Sequence, residues 1–281
     1  MPVKIAHSRP TRLERPRKLV VAPDNTSATD RIAAALAFSI AAGRYAAGER
    51  LPPVRKLAED FGVNPNTIQV VLAQLQACGF VSALPRLGLV VRDIEQHGGI
   101  STWRLVFQLA QQLPARATRI SADLLDMRLV LLTEALNKIS EHPKRYDPSP
   151  VRRAVEKLEL AVATTPDDVI EIARAELNAL RILMLVVGQS VVTAVLNSIG
   201  EIYLEVPAMI QAMYVQPTDH VELWREVLAR WERGALSTRN VEEIRAVLEQ
   251  NDKLVIERFR KGLVGRKTAP QPTLARAAFW T

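Results

Sequence analysis

Apolar residues recur at helical spacing along most of the chain, and the breaks in that pattern mark its parts. From Ser27 the run Ile32, Leu36, Ile40 steps by four and stops at Gly43, which predicts a helix with one buried face. Ser27-x-x-Asp30 has the form of a capping box with Asp in place of Glu. Pro52-Pro53 opens a second helix, in which Val54, Leu57, Ala58 and Phe61 follow the i, i+3, i+4, i+7 pattern. Gly62 is its natural left-handed cap. A third helix begins at once, with Asn64 as N-cap and Pro65 at the first helical position. Ile68, Val71, Leu72 and Leu75 form its buried stripe, and Gly79 ends it. Two helices joined by a tight Gly-containing turn predict a helix-turn-helix. Phe80–Ala83 and Leu89–Arg92 then read as short strands around Leu84-Pro85-Arg86-Leu87-Gly88, a wing.

Residues 93–99 are polar and read as a hinge. Beyond them the pattern is helical throughout, with starts near Ser101, Ala115, Ser149, Thr165, Ser190, Pro207, Thr218 and Asn240. Ser149-Pro150 reads as an N-cap followed by Pro at the first helical position. Thr165-Pro166-Asp167-Asp168 repeats that signal and adds acids in the first turn. Gly262 closes the last helix. The expected fold is mainly α, with an N-terminal winged helix-turn-helix carrying a small β wing and a C-terminal antiparallel helical bundle. Its expected parts are a flexible basic arm (1–26), a winged helix-turn-helix domain (27–92), a linker (93–99), a helical domain (100–262) and a basic mobile tail (263–281). Phe279-Trp280 ends that tail without a visible partner.

Charge sharpens this picture. The chain has 281 residues and a net charge of +7. Residues 1–26 hold six Lys/Arg against two acids, and 261–281 hold four against none, whereas 27–98 hold seven against six and 99–260 twenty against twenty-two. The surplus lies in two tails, the footprint of a polyanion binder, and the arm is expected to supply much of the phosphate affinity. One cysteine, Cys78, excludes a disulfide framework and any Cys-based zinc site; it reads as a small packed hydrophobe. No signal peptide is visible, because the first apolar run follows a basic, Pro-containing stretch. Ile182–Gly200 carries no charge over 19 residues but is interrupted by Gly188-Gln189-Ser190, Thr193, Asn197 and Ser198. It reads as buried in a helical domain, not as a membrane span, and a cytoplasmic location is expected.

The buried stripe of the third helix fixes which side chains face outward. At 100° per residue, Asn66, Gln69, Val70 and Ala73 lie opposite Ile68, Leu72 and Leu75. Asn and Gln amides match the N6/N7 edge of adenine, and Val or Ala can touch a thymine methyl. Asn64 and Thr67, at the positive end of the helix, are placed for phosphates. Arg55 and Lys56 would meet the backbone or a flanking base, and Arg86 at the wing tip would enter a narrow minor groove.

The run from Gly43 through Gly48-Glu-Arg-Leu51-Pro52-Pro-Val-Arg55-Lys-Leu57-Ala58 to Gly62-Val63-Asn-Pro-Asn-Thr67-Ile68, continuing through Leu72, Leu75 and Gly79, resembles the GntR family of bacterial transcription regulators over about residues 30–92. The resemblance implies a winged helix-turn-helix that binds operator DNA as a homodimer. Many members carry Arg where this chain has Pro65 and Gln69, and two wing glycines where it keeps only Gly88.

The family's branches differ in the second domain. The chain is too short for the aminotransferase-like branch, and its all-helical pattern disfavours the α/β branch. It fits the FadR-like branch, whose helical bundle binds a small effector and dimerises, so the resemblance implies an effector-binding and dimerisation domain over 100–262 behind a DNA-binding domain over 27–92; Val187-Gly188-Gln189 resembles that branch's Ser-Gly-Asn turn. Many such bundles hold a metal with one Asp and three His. Here the corresponding slots fall on Glu176 and Leu180, near Trp224 or Arg225, and near Gln250 or Asn251. Only His142 and His220 lie in this region, both read as surface residues, and a three-His site cannot be built from two. No metal and no cofactor are therefore expected.

Arg128, amid Leu124, Leu125 and Leu131, is the best candidate to pair with an acidic effector group, with a structural salt bridge as the other reading. Glu176, Arg181, Gln189, Asn197, Tyr203 and Arg225 are further candidates for a pocket. Trp103, Met184, Trp224 and Trp231 read as core. The rival reading is a constitutive architectural DNA binder whose bundle only dimerises. An enzyme with a DNA-binding appendage finds no support, since no phosphate loop or nucleophile–base motif is present.

Overall fold

The structure, a computed structural model, describes residues 27–265. The arm and most of the basic tail, with Phe279-Trp280, lie outside the described residues.

Helix α1 (Ala28–Ala41) starts where Ser27 Oγ accepts from the Asp30 amide, and it buries Ile32, Leu36 and Ile40. Helix α2 (Val54–Phe61) ends at Gly62, whose φ of 65° is the left-handed cap that a side chain would strain. Only Leu57 and Ala58 of its apolar face are buried. Phe61, expected inside, is the last residue of the helix and is 37% exposed. Helix α3 (Pro65–Ala77) has Pro65 at its start, Asn64 as N-cap and Ile68, Val71, Leu72 and Leu75 buried. Cys78 is its C-terminal cap and is buried. Burial pushes the thiol's pKa up, partly opposed by Arg104.

Strands β1 (Val81–Leu84) and β2 (Gly88–Val91) pair antiparallel, Val81 opposite Val91 and Leu84 opposite Gly88. Each strand is displaced by one residue from expectation. Glu49, Arg50 and Leu51 run along the outer edge of β2, with Arg50 bridging Val90. The wing is thereby anchored to the segment before α2.

Residues 93–99 are not a hinge of open chain. Asp93 caps a one-turn helix α4 (Ile94–His97) whose Ile94 is buried. Helix α5 (Ile100–Gln108) packs on α1, and Thr102, completely buried, donates its hydroxyl to the Cys78 carbonyl. Arg116 and Arg119 pair with Glu95. On the far side Arg104 pairs with Glu205.

Helices α6 (Pro114–Glu141), α7 (Ser149–Thr164), α8 (Val169–Val186), α9 (Ser190–Leu204), α10 (Pro207–Met213), α11 (Pro217–Glu232) and α12 (Thr238–Gly265) complete the chain. They pack as α6 on α12, α7 on α8 and α11, α8 on α9, and α10 on α9 and α12. Arg128 meets Asp252, while Leu132 and Leu136 line one cavity with Leu248 and Ile244, so α6 and α12 run antiparallel. Gly200 makes room for α8: a Cβ there would lie 2.3 Å from a Leu177 methyl.

Three cap assignments change. Pro148, not Ser149, precedes α7, with Asp147 accepting from the Ser149 amide. Thr165 ends α7 instead of starting α8; its amide and hydroxyl both donate to Ala161, and Asp168 is the α8 cap. Helix α12 runs through Gly262 to Gly265 and buries Leu263, so the expected boundary of the tail at residue 263 moves outward. The uncharged stretch 182–200 is split by Gly188, φ 75°, into the ends of two helices. Among the described residues no single helix is long and apolar enough to cross a membrane.

Candidate functional site

The outer face of α3 is open. Asn66, Gln69, Val70 and Ala73 are exposed, opposite the buried Ile68 and Leu72. Asn64 Oδ1 accepts from the Asn66 amide at 2.8 Å, and half-buried Thr67 follows in the same turn. Arg55 is exposed on α2. Lys56 lies 2.6 Å from Asp60 one turn on, a surface pair that holds little energy and can be exchanged for a phosphate. Arg86 stands at the wing tip with φ 63°, the one non-glycine residue at positive φ among those described. Arg50 Nη2 donates to the Arg86 carbonyl at 3.1 Å. Periodicity carried no signal for that contact, which spans 36 positions.

A second region lies in the helical part. An open cavity of about 210 Å³ lies between α6, α8 and α10–α12. Its floor holds Arg128, Glu176, Leu180, Met213, His220 and Trp224, and its rim Gln216, Asp219, Val247, Leu254 and Arg258. Arg128 and Glu176 also line a smaller neighbour of about 30 Å³, with Tyr203 and Tyr214.

Glu176 is the centre of a buried network. It accepts from Tyr214 Oη at 2.6 Å, His220 Nδ1 at 2.8 Å and Trp224 Nε1 at 3.2 Å. His220 is stacked on Tyr214, ring centroids 4.7 Å apart, and its Nε2 lies 3.3 Å from the Met213 carbonyl. Both ring nitrogens thus face acceptors, and only the imidazolium can donate to both. Burial alone would lift the Glu176 pKa; His220, Tyr214 and Arg128 outweigh it and hold the carboxyl at about 2. Burial works against a charged His220, yet Glu176 raises its pKa. His220, expected at the surface, is therefore an inward ion-pair partner. His142 is exposed at the end of α6.

Arg128 Nη2 lies 2.8 Å from Asp252 Oδ1, both side chains under 10% exposed. Arg128 Nε and Asp252 Oδ2 have no hydrogen-bond partner among the described residues. Asp252 and Trp224 carried no sequence signal for this polar centre, because their partners lie 124 and 48 positions away. Of the seven effector candidates, the structure brings together Arg128, Glu176 and Tyr203. Arg181 pairs with Asn197 between α8 and α9. Gln189 sits in the α8–α9 turn, and Arg225 pairs with Glu159 on the outside. None of these four lines either cavity. Among the described residues no cluster of three His, Cys, Asp or Glu side chains has metal-binding geometry.

Residues 28–91 match the family model for bacterial regulatory proteins of the gntR family. An uncharacterized HTH-type transcriptional regulator of Mycobacterium tuberculosis is 41% identical over 73 residues, 26% of this chain and 30% of its own length. The chain thus aligns with under a third of that relative. Among solved structures, a Listeria monocytogenes protein, Lar, described as controlling expression of the agr system, is 15% identical at a TM-score of 0.47, covering 85% of this chain and 99% of its own. A GntR regulator from Rhodococcus is 18% identical at a TM-score of 0.43, covering 83% and 99%. The matched segment, with its capped α3, its glycine-closed α2 and its two-stranded wing, is a winged helix-turn-helix similar to that of the gntR family of bacterial regulatory proteins.

Proposed function

We propose that the chain is a DNA-binding transcription regulator, a repressor, whose operator affinity is controlled by a small molecule bound in the 210 Å³ cavity. It works as a cytoplasmic homodimer of the FadR-like kind, with residues 27–92 reading DNA, 93–99 linking, and the helices after residue 100 binding effector and dimerising. The observation that carries the DNA-binding reading is the exposed Asn66–Gln69–Val70–Ala73 face of α3, set against a fully buried opposite side. Gln69 and Asn66 read base edges; Asn64, Thr67, Arg55 and Lys56 hold phosphates; Arg86 enters the minor groove.

Coupling has a physical route. Helix α12 forms one wall of the cavity, and its Phe259 packs on Phe107 of α5 at 5.6 Å between ring centroids. Helix α5 in turn holds the end of α3 through Thr102. A ligand that shifts α12 therefore acts on the orientation of α3.

Binding-site selection on the wild type, Gln69→Ala and Arg55→Ala tests the reading. The wild type should yield one preferred sequence. Gln69→Ala should lose about 1–3 kcal/mol at one base position and keep the others, while Arg55→Ala should weaken all sequences alike. A Gln69→Ala protein with the wild-type preference throughout would refute the assignment of this helix to base reading.

A further inference from the structure

The wing is a small hairpin with an awkward turn. Its strands have four residues each, and a two-stranded ribbon of that size is marginal on its own in water. The Leu87 amide closes the loop by donating to the Leu84 carbonyl at 3.1 Å, and Arg86, in the third turn position, has φ 63°. Proline before a residue at positive φ is the pattern of a type II turn, whose twist splays the strands it joins. That position favours glycine, and any larger residue there is strained. Arginine occupies it here. Backbone strain of this kind persists only where the surroundings enforce it, and it gathers at functional positions.

The enforcing contact comes from 36 positions upstream. Residues 48–51 lie along the outer edge of β2: the Gly48 amide donates to Val91, the Val91 amide to Glu49 and the Leu51 amide to Leu89. Arg50 is thus fixed at its base opposite Val90, and its Nη2 donates to the Arg86 carbonyl at 3.1 Å. Its neighbour Glu49 is engaged elsewhere, accepting from the Ala46 amide. Among the described residues neither Arg50 nor Arg86 forms a salt bridge. The wing tip therefore presents two exposed cations with no acid to neutralise them, a local field that favours a polyanion.

We propose that Arg50 is a positioning residue for DNA recognition: by holding the Arg86 carbonyl it fixes the strained turn that aims the Arg86 side chain into the minor groove. A narrow groove is read through its width and potential, not through a pattern of donors and acceptors. Such reading depends on presenting the cation at the right depth. A turn left free would spread Arg86 over many orientations, and that entropy would be lost at binding. The rigid guanidinium fork suits the holding task, since one nitrogen can bind the carbonyl with little further ordering. The proposal deepens the DNA-binding reading above and rests on it.

The probe is a duplex carrying the sequence that binding-site selection on the full chain recovers. Arg50→Met keeps the aliphatic stem and removes the donors. In the free protein it should speed amide hydrogen exchange at Leu87 and leave exchange in α3 at the wild-type level. On the duplex it should weaken binding about three- to tenfold, the equivalent of one hydrogen bond. It should also flatten the preference for A·T pairs at the flanking positions under the wing, with the position read by Gln69 unchanged. Arg86→Gly removes the aimed side chain, keeps the carbonyl and suits the positive φ; it should keep the melting temperature and lose the same A·T preference. The double variant identifies the route. If Arg50 acts through Arg86, adding Arg50→Met to Arg86→Gly should weaken binding by no more than about twofold, the screened effect of one charge. A full further loss, with the salt slope reduced by another ~0.9, would make Arg50 an independent phosphate contact and overturn the positioning role. Unchanged Leu87 exchange or an unchanged A·T preference in Arg50→Met would overturn it as well. Each of these outcomes leaves α3 standing as the base reader. A selection that returns no preferred sequence refutes the base-reading assignment instead, and Leu87 exchange in the free protein still decides whether Arg50 holds the turn.

Discussion

Glu176→Ala should destabilise the protein by about 3–5 kcal/mol, the cost of leaving one member of a buried ion pair alone. His220 would keep its burial without the carboxylate that holds its proton, and Tyr214 and Trp224 would lose their acceptor. The pH dependence gives an independent reading of the same group. Its pKa drops from 4.5 to about 2 on folding, so its stabilisation is complete above the unfolded value and is lost as pH falls from about 4.5 toward 2. His220 has the opposite sign. Its raised pKa gives stability that is complete below 6.5 and fades as pH climbs through the higher folded value. Thermal melts across pH should show both flanks in the wild type. In Glu176→Gln the acid flank should shrink most, and His220 should titrate at lower pH by NMR. An unchanged acid flank would remove Glu176 from the centre of the network.

Phe259→Ala should cost a similar amount, about 3–5 kcal/mol for a large buried ring. Phe259 is 1% and Phe107 0% exposed, and the pair is the aromatic contact between the cavity wall and the helix that holds α3. The milder Phe259→Leu then separates packing from communication. It should leave DNA affinity without ligand near the wild-type level and reduce the change in affinity that ligand produces. Leu158→Ala on α7, equally buried but away from this route, should lose stability and keep the ligand response. Equal behaviour of the two variants in the DNA assay would show that coupling does not pass through the rings.

The winged domain was legible because its signals are local. Caps, prolines and glycines at Ser27, Gly62, Asn64-Pro65 and Gly79 each report on neighbours a few positions away, and the Ile68–Leu75 stripe fixes a face. Where two local signals compete, the sequence leaves the boundary open. Thr165 and Asp168 are both good caps three residues apart, and the outcome depended on α7 continuing far enough to claim Thr165. Gly262 looked like a stop because glycine usually is one; the packing of Phe259 and Leu263 carries α12 through it. The polar centre was legible only in part. Arg128 stood out as a charge among leucines, but its partner is 124 positions away, and Glu176 meets His220 across 44. No periodicity encodes such pairs; they exist only once the helices are laid against each other.

The buried bond from Thr102 to the Cys78 carbonyl has a bearing on how such proteins can be recombined. By its polar sequence, the stretch 93–99 looks like the natural seam for exchanging one module for another. In this chain the seam is three residues further on. A chimaera joined at Gly98-Gly99 would separate α3 from the hydroxyl that satisfies its last carbonyl, leaving an acceptor in the dry interior at a cost of about 1–3 kcal/mol. It would also break the shared packing of α1 with α5. A graft that carries residues through Thr102 with the winged domain keeps the buried hydrogen bond, and so the unit of exchange is that domain together with the first turn of α5.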